Sequence, residues 1–187
     1  MLVWKVQRHR HAQTNSCSQY RIAKPLHACV DQTMSSLLNQ TNFSLYTLPI
    51  SWIVCLFPRL YAAYLYTSTT KKPLDIVLPR ALADRAKADQ ALPSTTRDRI
   101  VRAEAAQANG LENVGYFAAA VVASNSAGVS KGLLNALSLG YLMSRVLYSW
   151  AYTVGETRKV ALIRTGVFFA GQGMIFALFI LAGNRLR

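Results

Sequence analysis

Acid is scarce in this chain, and imidazole is missing from most of it. Eight Asp and Glu stand against 21 Lys and Arg, a formal net charge of +13 over 187 residues. All three histidines, His9, His11 and His27, fall within the first thirty residues. The rest of the chain therefore has no imidazole base, no Ser-His-Asp triad and no His-ligated metal, which removes whole classes of hydrolase and metalloenzyme. Cysteine is equally thin. Cys17, Cys29 and Cys55 are scattered without a CxxC pair, which argues against a zinc site, a redox dithiol or a disulfide framework. Charged residues of both signs reach only 16%, against roughly 25% in an ordinary soluble domain. No internal repeat and no Gly-rich phosphate loop occurs.

Apolar residues fill the space that charge leaves, at 52% of the chain. Four stretches, 45–67, 100–124, 132–154 and 160–183, have the length of about 20 residues that a helix needs to cross the hydrocarbon core. The expected class is all-α, an integral membrane four-helix bundle. The excess positive charge alone would suit nucleic acid or an anionic membrane surface; the apolar stretches select the membrane, and no nucleic-acid partner is expected. The second stretch is the most polar, with Arg102, Glu104, Gln107, Asn109 and Glu112. Ionisable groups at such positions normally face a bundle interior or a wet cavity. Pro49 and Pro58 are expected to kink the first span.

Residues 1–33 form a basic leader, with Lys5, Arg8, Arg10, Arg21 and Lys24 and no acid before Asp31. The composition is that of a mitochondrial transit peptide; alternatively translation starts at Met34, which opens the run into the first span. Residues 34–187 form the membrane domain on either reading, and the leader is expected to be dispensable for insertion.

Two helical stripes carry the polar groups. Arg102, Ala105, Asn109, Glu112 and Tyr116 recur at helical spacing on the second span, and Ser138, Tyr141, Arg145, Tyr148 and Tyr152 on the third. At about 1.5 Å rise per residue from the cytosolic ends, Asn109 and Arg145 lie about 14 Å in, Glu112 about 18 Å and Arg59 about 12 Å. Two readings remain open. The four groups share a polar cavity, or Glu112 and Arg145 neutralise each other as a structural pair. Tyr148 and Tyr152 also suit the aromatic belt at the membrane boundary.

RAEAAQANGLENVGYFAAAV at 102–121, followed by SRVLYSWAY at 144–152, resembles the membrane-associated proteins in eicosanoid and glutathione metabolism, the MAPEG family. Asn109 and Glu112 match the family's Asn-x-x-Glu; Arg145, Tyr148 and Tyr152 match its Arg-x-x-Tyr-x-x-x-Tyr. The resemblance covers about 43–183 and implies a homotrimeric bundle that binds glutathione as co-substrate between subunits, near the cytosolic side, with no metal. It implies Arg102, Asn109, Glu112, Arg145, Tyr148 and Tyr152 as the glutathione contacts, with Arg158 or Lys159 as the cation that activates the thiol. The implied activity is a microsomal-type transferase or peroxidase acting on a lipophilic electrophile from the membrane lipid. The chain departs from the pattern at Ala105 and Ala108, where glutathione-using members carry an arginine. A non-catalytic relative that scaffolds or modulates partners is the alternative. The implied location is the endoplasmic reticulum or another internal membrane, or the mitochondrion if the leader is a transit peptide.

A small-residue stripe, Gly166, Ala170, Gly173 and Ala177, marks the fourth span as a close-packing helix for the bundle or for its neighbours.

Connection 68–99 holds Lys71, Lys72, Arg80, Arg85, Lys87, Arg97 and Arg99, whereas 125–131 holds only Lys131. Positive charge marks the cytosolic side. Labelling in sealed vesicles should therefore find Lys71 and Lys72 in the cytosol and Ser126 opposite; the reverse pattern would overturn the orientation.

Overall fold

The computed structural model describes residue 39 and residues 41–187, and the expectations for the leader and for Met34 lie outside the described residues. A 3-10 turn, Ser44–Tyr46, runs into α1 (Thr47–Thr70). A second, Pro79–Ala81, leads to the short α2 (Leu82–Ala88), followed by α3 (Ser94–Ser126), α4 (Lys131–Val154) and α5 (Arg158–Arg185). Among the described residues there is no strand. The four long helices fall on the four expected spans, and α3 begins at Ser94, six residues before the expected start at 100.

Local sequence accounts for the ends. Pro49 sits in the first turn of α1, where no intrahelical donor is needed. Pro58 lies inside and removes the donor to the Val54 carbonyl, yet α1 continues through it to Thr70. Lys71 closes the helix in the left-handed region at φ 58°, its N–H donating to the Thr67 carbonyl. Thr157 caps α5 by accepting from the Val160 N–H at 3.4 Å.

α3 is the central element and packs against each of the other four helices. One core joins it to α1 and α2 through Ala62, Tyr66, Leu82, Ala86, Ile100 and Ala103. A second joins it to α4 and α5 through Phe117, Val121, Leu134, Tyr141, Ile175 and Leu178. α1 and α3 approach closely where Gly110 meets Cys55, since a Cβ on Gly110 would lie 2.8 Å from Sγ. By length and composition the helices over Ser44–Thr70 and Arg158–Arg185 suffice to cross a membrane. Large apolar side chains such as Trp52, Phe57, Trp150 and Phe169 are exposed on the outside of the bundle, as a lipid-facing surface requires.

The two ends differ in chemistry. At the end of α1, Lys72 donates to Asp89 at 2.7 Å, and Tyr66 donates to the same carboxylate at 3.2 Å. The Lys72 hydrogen bond, with the Ala91 N–H behind it, holds the Asp89 carboxyl below its usual range. The opposite end is tied by neutral amides. Asn42 donates to Asn125 at 2.6 Å and Asn125 to the Ser44 hydroxyl at 3.0 Å. Buried Asn135 accepts from the Phe43 N–H at 3.0 Å and donates to the Thr41 carbonyl at 2.6 Å.

These amides tie the entering chain to α3 and α4. Asn135→Ala orphans two backbone groups, and a buried group without its partner costs about 1–3 kcal/mol. Thermal unfolding in detergent should show a loss of that size; an unchanged midpoint would mean that the amide tie is incidental.

Candidate functional site

The polar stripe of α4 faces inward. Ser138, Tyr141, Arg145 and Tyr148 are buried, and Tyr152 is half-buried. Arg145 is only 1% exposed. Its guanidinium carbon lies 5.1 Å from the ring centres of both Tyr141 and Tyr148 and 5.3 Å from that of Phe168. Nη2 donates to the Phe168 carbonyl at 3.4 Å. A cation over aromatic faces gains about 2 kcal/mol or more once desolvated, which offsets part of the cost of placing it there. Gly171 of α5 leaves the room, because a Cβ at that position would lie 2.5 Å from Nη2 and 2.7 Å from the Ser144 hydroxyl. Among the described residues, Arg145 Nε and Nη1, the Tyr141 hydroxyl and the Ser138 hydroxyl have no hydrogen-bond partner.

The stripe of α3 behaves differently. Glu112 is exposed and makes no hydrogen bond or ion pair among the described residues, so the Glu112–Arg145 pair is not formed within one chain. Asn109 donates to the Ala105 carbonyl of its own helix at 3.1 Å. Arg102 is drawn to the end of α4, donating to Glu156 at 3.0 Å and toward the Thr153 carbonyl at 3.4 Å. Tyr116 packs on Phe179, with ring centres 5.2 Å apart. Asn113 accepts from Gln172 and so links α3 to α5.

Arg59 does not join this group. It binds Glu104 through Nη1 at 2.6 and 2.9 Å, and its other Nη donates to the Pro79 carbonyl. Antiparallel packing explains the pairing. From the Cys55–Gly110 contact, one turn further along α1 reaches Arg59, and the same direction on α3 leads back to Glu104. The shared cavity expected for Arg59, Asn109, Glu112 and Arg145 is therefore not assembled within one chain. A cleft of about 120 Å³ lies instead under the α1–α2 connection, lined by residues that include Arg59, Tyr66, Leu82 and Arg85.

On α5, Arg158 and Lys159 occupy the first turn, exposed and without a side-chain partner among the described residues. One turn deeper is a group that the sequence reading missed. The Arg164 guanidinium stands 4.1 Å over the Tyr152 ring, and Tyr152 meets Tyr148 edge-to-face at 5.5 Å. Arg164 is the sole charged residue between Lys159 and Arg185, and that isolation in an apolar run was the available signal. Arg145, Tyr148, Tyr152 and Arg164 thus form a continuous row of cations and phenols in which neither arginine has a carboxylate partner among the described residues. Such a row suits an anionic ligand and can stabilise a thiolate beside it.

The sequence matches the model of the MAPEG family over residues 44–184. That range contains α1 to α4 and all but the last residue of α5. No curated protein matches the sequence.

Gly171 and Gly115 provide a matched test of the Arg145 cage. Gly171→Ala should lower stability by about 1–3 kcal/mol, the cost of overpacking. Gly115 has nothing within 4 Å of an added Cβ, so Gly115→Ala should be neutral or gain up to about 1 kcal/mol of helix propensity. Equal thermal shifts for the two variants would show that the cage is not tightly packed.

Proposed function

The chain belongs to the MAPEG family, and on that premise we propose that it is a membrane-embedded glutathione-dependent transferase or peroxidase acting on a lipophilic electrophile. The observation that carries the reading is the imbalance of charge at the site. Among the described residues Arg145 and Arg164 have no acid partner, and Glu112 has no base. Glutathione carries two carboxylates and one ammonium, which complements two unpaired guanidiniums and one unpaired carboxylate. Asn109, Tyr148 and Tyr152 supply further hydrogen-bonding groups along the row. Arg102, held by Glu156 and the α4 terminus, contributes at the rim.

A cation close to sulfur favours the thiolate, the nucleophilic form. Arg158 and Lys159 in the first turn of α5 fill that role in the proposal, and Arg164 is the candidate that the geometry adds. The thiolate then attacks the electrophile, which reaches the site from the lipid. We place the site near the cytosolic face of an internal membrane, the endoplasmic reticulum or, with a functional leader, the mitochondrion.

The homotrimer is part of the same proposal. Gly166, Ala170 and Gly173 are exposed, and the space around both glycines is open. Within the chain, α5 instead buries Gly171, Ile175, Leu178 and Ala182. The small-residue stripe is therefore not what holds one subunit's bundle together, and it is free for close packing against a neighbour. A neighbour would also wall the open flank at Asn109 and Glu112.

Calorimetry with the detergent-purified protein tests the reading. Arg145→Ala should weaken glutathione at least about tenfold, since losing a buried charged partner costs about 2–5 kcal/mol. Tyr148→Phe should also weaken binding while leaving assembly intact. Arg158→Ala, Lys159→Ala and Arg164→Ala should reduce the ultraviolet absorbance of bound thiolate more than they reduce affinity. A trimeric, folded wild-type protein that binds no glutathione at millimolar concentration would refute the enzyme and favour the scaffold.

A further inference from the structure

The connection between α1 and α2 presents apolar side chains where a soluble loop would present polar ones. Ile76 is 88% exposed, Val77 80% and Leu78 61%. They stand on a firmly held segment. Asp75 accepts from the Val77 and Leu78 N–H groups at 2.7 and 3.3 Å and pairs with Arg85. One residue beyond Leu78, the Pro79 carbonyl is bound by Arg59.

That last contact fixes the height of the segment. Arg59 precedes Thr70, the end of α1, by three turns, or about 16 Å along the axis. The connection therefore folds back along the flank of a membrane-spanning helix and does not project beyond its end. Leu82, buried against Ala62 and Tyr66, holds it there. Ile76, Val77 and Leu78 therefore stand between the height of Arg59 and the end of α1, beside the boundary of headgroups and acyl chains where exposed apolar groups insert.

The charges around them are not balanced. Asp75, Asp84 and Asp89 are each paired, with Arg85, Lys87 and Lys72 respectively. Lys71 and Arg80 flank the apolar segment, are exposed, and have no acid partner among the described residues. Two such segments brought face to face would oppose Lys71 and Arg80 to the same cations, whereas an anionic leaflet complements both the apolar and the cationic parts.

We propose that the α1–α2 connection is an interfacial anchor that inserts Ile76, Val77 and Leu78 among the headgroups of an anionic phospholipid leaflet, with Lys71 and Arg80 on the lipid phosphates and carboxylates. The anchor is independent of glutathione binding, and it gives the subunit a preference for membranes rich in anionic lipid.

The test uses the full chain in vesicles of phosphatidylcholine with or without phosphatidylserine. Ile76→Trp, in a chain whose native tryptophans are replaced by Phe, should be quenched by lipid brominated near the headgroup. Val77→Trp should behave alike, which guards against a local folding defect in one variant. With spin-labelled lipids, the wild-type should select phosphatidylserine over phosphatidylcholine. Lys71→Gln and Arg80→Gln should each lower that selectivity by up to about fivefold, the equivalent of about 1 kcal/mol per basic residue at an anionic surface. The proposal fails if the indoles are quenched by aqueous acrylamide and not by lipid, or if cross-linking joins position 76 to a second copy. It fails equally if lipid quenching occurs but neither cation affects selectivity.

Discussion

A guanidinium held at membrane depth is the costliest single feature of this molecule, and the helices around it are arranged to meet that cost. Arg145 is buried, with 1% of its surface exposed, and it has no carboxylate partner among the described residues. Three aromatic rings, one carbonyl and the missing side chain of Gly171 take the place of a counter-ion. Each of these fixes something else. The Phe168 contact sets how α5 is rotated against α4. Tyr141 stacks on Phe117 at 3.9 Å and so positions α3. Tyr148 orients Tyr152, which in turn carries Arg164. The row of site residues is thus a consequence of accommodating one buried cation.

The two ends of the bundle use different polar chemistry because their surroundings differ. Ion pairs predominate at the end that carries the α1–α2 and α4–α5 connections: Arg59–Glu104, Lys72–Asp89 and Arg102–Glu156. Water reaches a partner in each pair and screens it, so they direct the chain more than they stabilise it. The other end is tied by asparagine amides, which need no counter-ion and satisfy backbone groups directly. That division coincides with the asymmetry of Lys and Arg between the connections.

The long helices were legible in the sequence because apolar runs of that length leave few alternatives. The α4 stripe was legible as well, since helical spacing brought Ser138, Tyr141, Arg145 and Tyr148 to one buried face. Spacing alone does not say toward what a stripe turns. Asn109 and Glu112 share a face as expected, yet that face is the outer flank of α3, because α1 occupies the Ile100, Ala103 and Gly110 side. Glu104 lies one residue off the stripe and became the partner of Arg59 through antiparallel packing, which no local pattern encodes. Likewise the small residues of α5 are real neighbours on one face, while the chain's own packing uses the face that carries Gly171 and Ile175.

The meeting of Cys55 with Gly110 has a kinetic meaning. The thiol is 1% exposed and sits in close contact between α1 and α3, so a reagent reaches it when those two helices separate. Its alkylation is therefore gated by opening of the interface. When the chemical step is fast, the observed rate is the rate of parting; when it is slow, the rate reports the fraction of time the helices spend apart. The chain thus carries, among its described residues, a native clock for the motion of its central helix.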